Sequence, residues 1–208
     1  MTSAFDMSAL PELLAQYHDY FLVEHSIPVS IKPWPEQQIP NPELFEAMIP
    51  EPFRMASEFN TLEQSMLKPL AKLGDVAHDL SLYLKAQARK IDTLMRYVLL
   101  QQDDPAYRHY TQSYGGGGLC VLAKSALELG QLLEVKLFLA GSDGAVYAIA
   151  QVIEQQHISS DSDRPWRLKL VFRQIREMDR DTMVRASLHE QARQLKLRAE
   201  QRQQQGIK

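Results

Sequence analysis

A single cysteine, Cys120, stands in the 208 residues, so an internal disulfide framework and the four-cysteine zinc sites are excluded. It lies in the apolar run Leu119–Leu122 and reads as a buried, inert thiol. No run of about 18 apolar residues occurs, so no membrane insertion is expected. The opening residues Met1–Asp6 carry no basic stretch ahead of an apolar core, which makes a cytoplasmic location the expectation. The six histidines (His18, His25, His78, His109, His157, His189) include no pair three or four apart, and nothing suggests converging metal ligands. There is no G-x-S-x-G elbow and no locally supported carboxylate pair, so enzymatic activity is not expected. Arginine is missing from the whole stretch before Arg54.

That last absence is part of a charge asymmetry beneath a net charge of −3. Residues 1–53 hold one basic residue, Lys32, against eight acids, a net of −7. Residues 164–208 hold twelve basic residues against five acids, a net of +7. The two ends are expected to attract each other, within a chain or between copies. A nucleic-acid role for the basic end is disfavoured because few aromatics accompany it.

What the chain does have is a long seam. Apolar residues recur at Phe59, Leu62, Met66, Leu70, Leu73, Ala77, Leu80, Leu84, Ala88, Ile91, Met95 and Val98, in steps of three and four. The mean step of about 3.5 is the coiled-coil spacing. A helix over 56–102 would run roughly 70 Å at 1.5 Å per residue. A compact monomer of this length is only about 45 Å across. Pro69 and Gly74-Asp75 are points where the helix would kink or restart. A second apolar line, Val76, Tyr83 and Leu94, widens the face beyond what two strands need. The helix is expected to serve its own domain and a partner helix, so a homo-oligomer is expected, a tetramer ahead of a dimer.

Around the seam, Ser8 or a neighbour would cap a short helix with Pro11 in its first turn, followed by Leu13-Leu14, Tyr17 and Tyr20-Phe21. Ile27–Ile31 alternates as a strand. Six prolines between Pro33 and Pro52 predict an extended connector rather than a helix. After Asp103-Asp104-Pro105 the period becomes two, through Leu119–Leu122, Leu133–Leu139, Ala145–Ile153 and Trp166–Arg173, with turns at Gly141–Gly144 and Ser159–Pro165. That is a meander of short antiparallel strands, as in a small barrel. Asp179 is expected to cap a closing helix bearing Met183, Val184, Leu188, Ala192 and Leu195, ending in a Gln-rich tail. Gly115–Gly118 imitates a phosphate loop, and Gly118 through Lys124-Ser125 even mimics a Walker A element. Its intervening residues are apolar and strand-like, so a mobile glycine turn entering a strand is the expectation.

The residues Gly117–Val121, Leu129-Gly-Gln131, Val135–Phe138, Val152, Leu170–Phe172 and Ile175–Arg180 together resemble a PilZ domain, over about 108–191. The resemblance implies an α+β fold: a six-stranded antiparallel β-barrel with a long coiled-coil-type helix inserted after the first strand and a C-terminal helix. It further implies a helix-extended, tetrameric branch of the family and cyclic di-GMP as the usual ligand. The chain would then divide into 1–55 (first barrel strand at 27–33, then the connector), 56–104 (self-association helix), 105–189 (rest of the barrel and closing helix) and 190–208 (basic tail).

The family binds its ligand with Arg-x-x-x-Arg ahead of the first strand, where guanidinium forks hold phosphate and guanine edges. Here Phe21–Ser26 occupies that place. Its second motif is Asp/Asn-x-Ser-x-x-Gly; aligned on Gly118, Ser113 takes the acidic position and Gly115 the serine. Candidate ligand contacts are therefore Ser113, Gly115, Gly118, Arg108, Arg167 and Arg173, with Arg164 beside them. The residues argue against the usual binding mode. The expected function is a non-enzymatic regulator acting through a protein partner, with no cofactor; the alternative is a cyclic di-GMP receptor using those arginines. The expected oligomer seam is Leu70, Leu73, Ala77, Leu80, Leu84, Ala88, Ile91, Met95 and Val98.

Overall fold

The computed structural model describes residues 6–36, 38–57, 75–139, 144–158 and 163–205. Seven strands form one antiparallel sheet: β1 (Leu22–Glu24), β2 (Pro28–Pro33), β3 (Arg108–Gly115), β4 (Gly118–Ala123), β5 (Leu132–Phe138), β6 (Ala145–His157) and β7 (Trp166–Ile175). Their order is β1-β3-β2-β5-β6-β7-β4, and β4 pairs back onto β3. That pairing closes six strands into a barrel and leaves β1 as a short extension beside β2 on β3 (Leu22↔Gly115, Val29↔His109). Closure removes the open edges that invite aggregation. Leu168, Leu170 and Phe172 of β7 face inward with Leu119, Val121, Leu133, Val135 and Leu137, while Arg167, Lys169 and Arg173 alternate outward. The expected barrel is present, with the long helix inserted between β2 and β3.

Strand β6 is buried on both faces through Ile153, so it reads as a continuous apolar run rather than an alternation. Its outer face carries two layers. Helix α1 (Leu10–His18) sets Leu13 and Tyr17 on Ile153 and Val171. Helix α2 (Pro42–Met48), the helical residues 51–57 and the end of α3 (Asp75–Leu100) set Phe45, Phe53 and Leu99 on Phe138, Tyr147 and Ile149. Helix α4 (Glu177–Gln205) plugs the barrel core with Met183 and Ala186.

Several expectations change. The proline-dense connector contains a helix: Asn41 caps α2 by accepting from Leu44 N at 2.8 Å, and Pro42 occupies the first turn, where its missing N–H costs nothing. The cap near Ser8 is its neighbour Asp6, whose Oδ1 accepts from Ser8 N at 2.9 Å at the head of the 3-10 turn Met7–Ala9 leading into α1. Asp179 is not a cap either, because α4 begins at Glu177 and Asp179 lies fully buried in its first turn. Of the apolar residues of α4, Met183 is buried, whereas Leu188 and Leu195 are half-exposed. The glycine run is buried rather than mobile. A Cβ at Gly115 would lie 2.1 Å from the Phe21 carbonyl oxygen, and one at Gly117 would lie 2.6 Å from that of Tyr17. The run is the floor on which the N-terminal segment rests, and only glycine allows that approach. Leu70, Leu73, Pro69 and the turn at Gly141 fall outside the described residues.

Candidate functional site

Among the described residues, two regions are candidates for a functional surface. The first is a surface pocket of about 700 Å³ on the outer wall of β3, β4 and β7. Strand pairing assembles it: Ser113 stands opposite Glu24 on one side and Cys120 on the other, and Cys120 stands opposite Lys169. Tyr17, His18 and His25 complete the rim from the N-terminal segment. Tyr17 is buried, and burial pushes its phenol well above the usual range. Burial likewise raises the Cys120 thiol, whose Sγ lies 3.5 Å from Gln112 Oε1, so it is no thiolate nucleophile.

The pocket brings together only some of the candidate ligand residues. Ser113 and Arg167 line it. Arg167 Nη1 is 3.4 Å from Gln156 Oε1, and its buried Nε has no hydrogen-bond partner among the described residues. Lys169, the neighbouring cation, donates to Glu154 Oε2 at 2.8 Å. Gly115 and Gly118 lie beneath Phe21 and Tyr17, not on the pocket wall. Arg108 donates to Asp103 Oδ2 at 2.5 Å, Arg164 sits over the Tyr110 ring, and Arg173 donates to Gln151 Oε1. Glu24, an acid, lines the same pocket as Arg167 and Lys169.

The second region is α3. Its last turns join the body through Leu99, buried, and Met95, partly buried. The remainder of its described seam faces outward: Leu80, Leu84, Ile91 and Val98 are 37–48% exposed, and Tyr83, Leu94 and Tyr97 are 60–67% exposed. Ala88 is partly buried, and the side chain of Ala77 lies outside the described residues. A contiguous apolar face of this size is unusual on a lone soluble chain.

Among the described residues, opposed charges of the two ends meet at Arg176 and Glu46. Arg176 Nε and Nη2 donate to Asp179 at 2.7 and 3.1 Å, Ser57 Oγ donates to it at 2.5 Å, and Arg176 Nη1 lies 3.5 Å from Glu46 Oε1. Sequence reading missed this knot, which ties α2, residues 51–57 and α4 to the end of β7. Among the described residues no helix is long and apolar enough to cross a membrane, and no three His, Cys, Asp or Glu side chains converge as metal ligands.

No protein-family model and no curated protein matches the chain. Solved structures do. The chain is similar to a protein from Xanthomonas campestris described as a tetrameric PilZ domain self-assembled through a helical bundle. The identity is 14% and the TM-score 0.49, over 91% of this chain and 99% of that one. It is similar to the Bacillus subtilis inhibitor of motility MotI/DgrA at 12% identity and TM-score 0.45; 85% of this chain spans about half of that protein, 52%. It is also similar to the PilZ domain of Escherichia coli YcgR with cyclic di-GMP, at 19% identity and TM-score 0.35, over 45% of this chain and 77% of that one. PilZ domains are thus among the structures this chain is similar to, as its residues suggested. At these TM-scores the likenesses carry no argument of their own; the fold rests on strand order, register and closure.

Proposed function

We propose that this chain is a non-enzymatic regulatory module of PilZ type that assembles through α3 and acts through a protein partner in cyclic di-GMP-linked signalling. One observation carries the assembly: the outward apolar face of α3. At about 100° per residue, Leu80, Leu84, Ile91 and Val98 share an arc of roughly 40°, and Tyr83, Leu94 and Tyr97 extend it to about 140°. That exceeds a two-stranded seam and favours a tetramer over a dimer. Each large side chain moved from half-exposed to buried contributes about 1 kcal/mol, so a face of seven is a strong drive to associate.

Leu80→Glu/Leu84→Glu should dissolve the assembly, since a carboxylate buried without a partner is too costly to keep. The test is light scattering on the purified variant with a thermal melt as a folding check. An unchanged mass in a folded protein refutes the assembly.

A second reading, direct reception of cyclic di-GMP, is favoured by one feature: Arg167 and Lys169 stand beside Ser113 in the pocket next to the N-terminal segment. The dispersal of Arg108, Arg164 and Arg173 onto other partners weighs against it. Titration calorimetry with cyclic di-GMP at high micromolar protein is expected to show no heat. Saturable heat that disappears in Arg167→Ala would put this reading first.

A further inference from the structure

Above the pocket, the outer wall of the barrel continues toward the start of β7. Leu168 and Leu170 of that strand face the core, so Arg167 and Lys169 face outward, and strand register extends their rows sideways. Arg167 stands opposite Leu122 of β4 and Gln156 of β6. Tyr110 of β3 lies one step on from the Thr111↔Val121 pair and so beside Leu122. One row down, Lys169 stands between Cys120 and Glu154, and Cys120 and Lys169 line the pocket. One row up, the Ile158 amide donates to the Pro165 carbonyl at 2.8 Å, and Lys124 follows the end of β4. Four strands about 4.8 Å apart make a wall roughly 14 Å wide, the span of four or five extended residues.

Apolar side chains and cations alternate on this wall. Tyr110 is 45% and Ile158 38% exposed, and Leu122 between them is partly exposed. Arg164 lies over the Tyr110 ring, 5.7 Å from its centroid. Arg167 has one neutral partner among the described residues, Gln156, and its buried Nε has none. Lys124 is exposed, and Lys169 donates to Glu154. Two nearby groups feel these charges. Burial holds His109 down, and Arg164 and Lys124 push it further the same way. Burial raises the Cys120 thiol, and Arg167 and Lys169 work against that rise.

Aromatic and aliphatic anchors set among arginines are the mixture that protein interfaces favour. A nucleic-acid strand suits the wall less well. It needs an unbroken cationic track and open rings, whereas Glu154 interrupts the cations and a guanidinium already covers one face of Tyr110. We infer that the wall around Arg167 docks an extended acidic segment of a protein partner. Apolar side chains of that segment rest on Tyr110, Leu122 and Ile158, and its carboxylates meet Arg167 and Lys124. Arg167 offers a planar fork that a carboxylate matches with two parallel hydrogen bonds. The inference rests on the proposed action through a protein partner and gives that partner its chemistry.

Selection of displayed random peptides, about twelve residues long, on the immobilised full chain tests it, followed by fluorescence anisotropy of the selected sequences. The selected peptides should carry several Asp or Glu around an aromatic or aliphatic residue. Raising salt from about 0.05 to about 0.3 M should weaken them roughly tenfold, because exposed charges are screened. Tyr110→Ala and Arg167→Glu should each weaken binding about tenfold with unaltered melts, and Arg167→Lys should lose nearly as much because an ammonium forms no fork. Should Arg167→Glu fail to fold, Lys124→Glu at the exposed edge reports the same loss in smaller degree. Peptides without acidic enrichment overturn the inference. So do acidic peptides that bind the variants as tightly as the unaltered protein, although they leave action through a protein partner standing. An oligothymidylate that binds through Tyr110 and Arg167 while no acidic peptide is selected overturns both. Light scattering on the same variants should show the mass of the unaltered protein, so the result is read independently of the α3 assembly.

Discussion

Adding one methyl group to the glycine floor should destabilise the barrel by an amount that depends on what the methyl meets. A Cβ at Gly118 would lie 2.1 Å from the Leu170 carbonyl oxygen and 2.8 Å from the Tyr17 ring. Ordinary contact begins near 3.4 Å, so a backbone oxygen held in the β4–β7 ladder must retreat by more than 1 Å. Overpacking of this kind costs about 1–3 kcal/mol. A ladder hydrogen bond lost in the retreat adds roughly 1 kcal/mol. The smaller entropy of the unfolded alanine chain returns about 0.4–1 kcal/mol. Gly118→Ala should therefore lose about 2–3 kcal/mol, and with a urea slope of about 2 kcal/mol/M its midpoint should drop by roughly 1–1.5 M. At Gly116 the nearest atoms belong to the side chains of Tyr20 and Val184, at 2.6 and 2.7 Å. Side chains can turn aside, so Gly116→Ala should lose less, about 1 kcal/mol. The assay is urea unfolding followed by the fluorescence of Trp34 and Trp166, at one protein concentration because assembly contributes to apparent stability. A Gly118→Ala midpoint indistinguishable from the unaltered protein, or a costlier Gly116→Ala, would refute the packing argument.

Two more perturbations probe the body. Asp179→Ala leaves the buried Arg176 guanidinium with Glu46 alone; breaking such a pair costs about 3–5 kcal/mol, and the lower end is expected because Glu46 remains. Thermal melts should show a drop of several degrees, and a drop under one degree would mean that the knot contributes nothing. Burial holds His109 below its ordinary value of 6.5, against the bond between its Nδ1 and the Tyr107 carbonyl; Arg164 and Lys124 also depress it. A depressed folded-state value means the unfolded chain takes up the proton first. The stability from a neutral His109 is therefore present above pH 6.5 and lost as pH falls through the depressed value. His109→Gln should flatten urea stability over that window; an unchanged slope would remove His109 from the acid response.

The strands legible in the sequence were those with an apolar pattern, continuous where both faces are buried, as in β6, and alternating where one face is wet. Leu168, Leu170 and Phe172 alternate with Arg167, Lys169 and Arg173 because solvent touches the outside of β7 there. Strand β3 was not legible, since Arg108–Gly115 is polar or glycine and takes its place from pairing rather than from pattern. Helix α2 was hidden by its own prolines, although Asn41-Pro42-Glu43 is a cap followed by a first-turn proline. Strand alternation put Arg167 on the outer wall, but nothing local says that it shares a pocket with Tyr17 and Glu24. Long-range register decides that. The Asp179 knot gathers Glu46, Ser57 and Arg176 in the same way. The outward seam of α3 was the most legible feature, because coiled-coil spacing is a property of a single helix.

The central claim, assembly through α3 without dependence on the nucleotide, is tested most directly by multi-angle light scattering of the purified protein at micromolar concentration, with and without excess cyclic di-GMP. The account predicts a stable mass of four copies that the nucleotide does not change. A monodisperse monomer would contradict the assembly, and a nucleotide-dependent mass would contradict the independence.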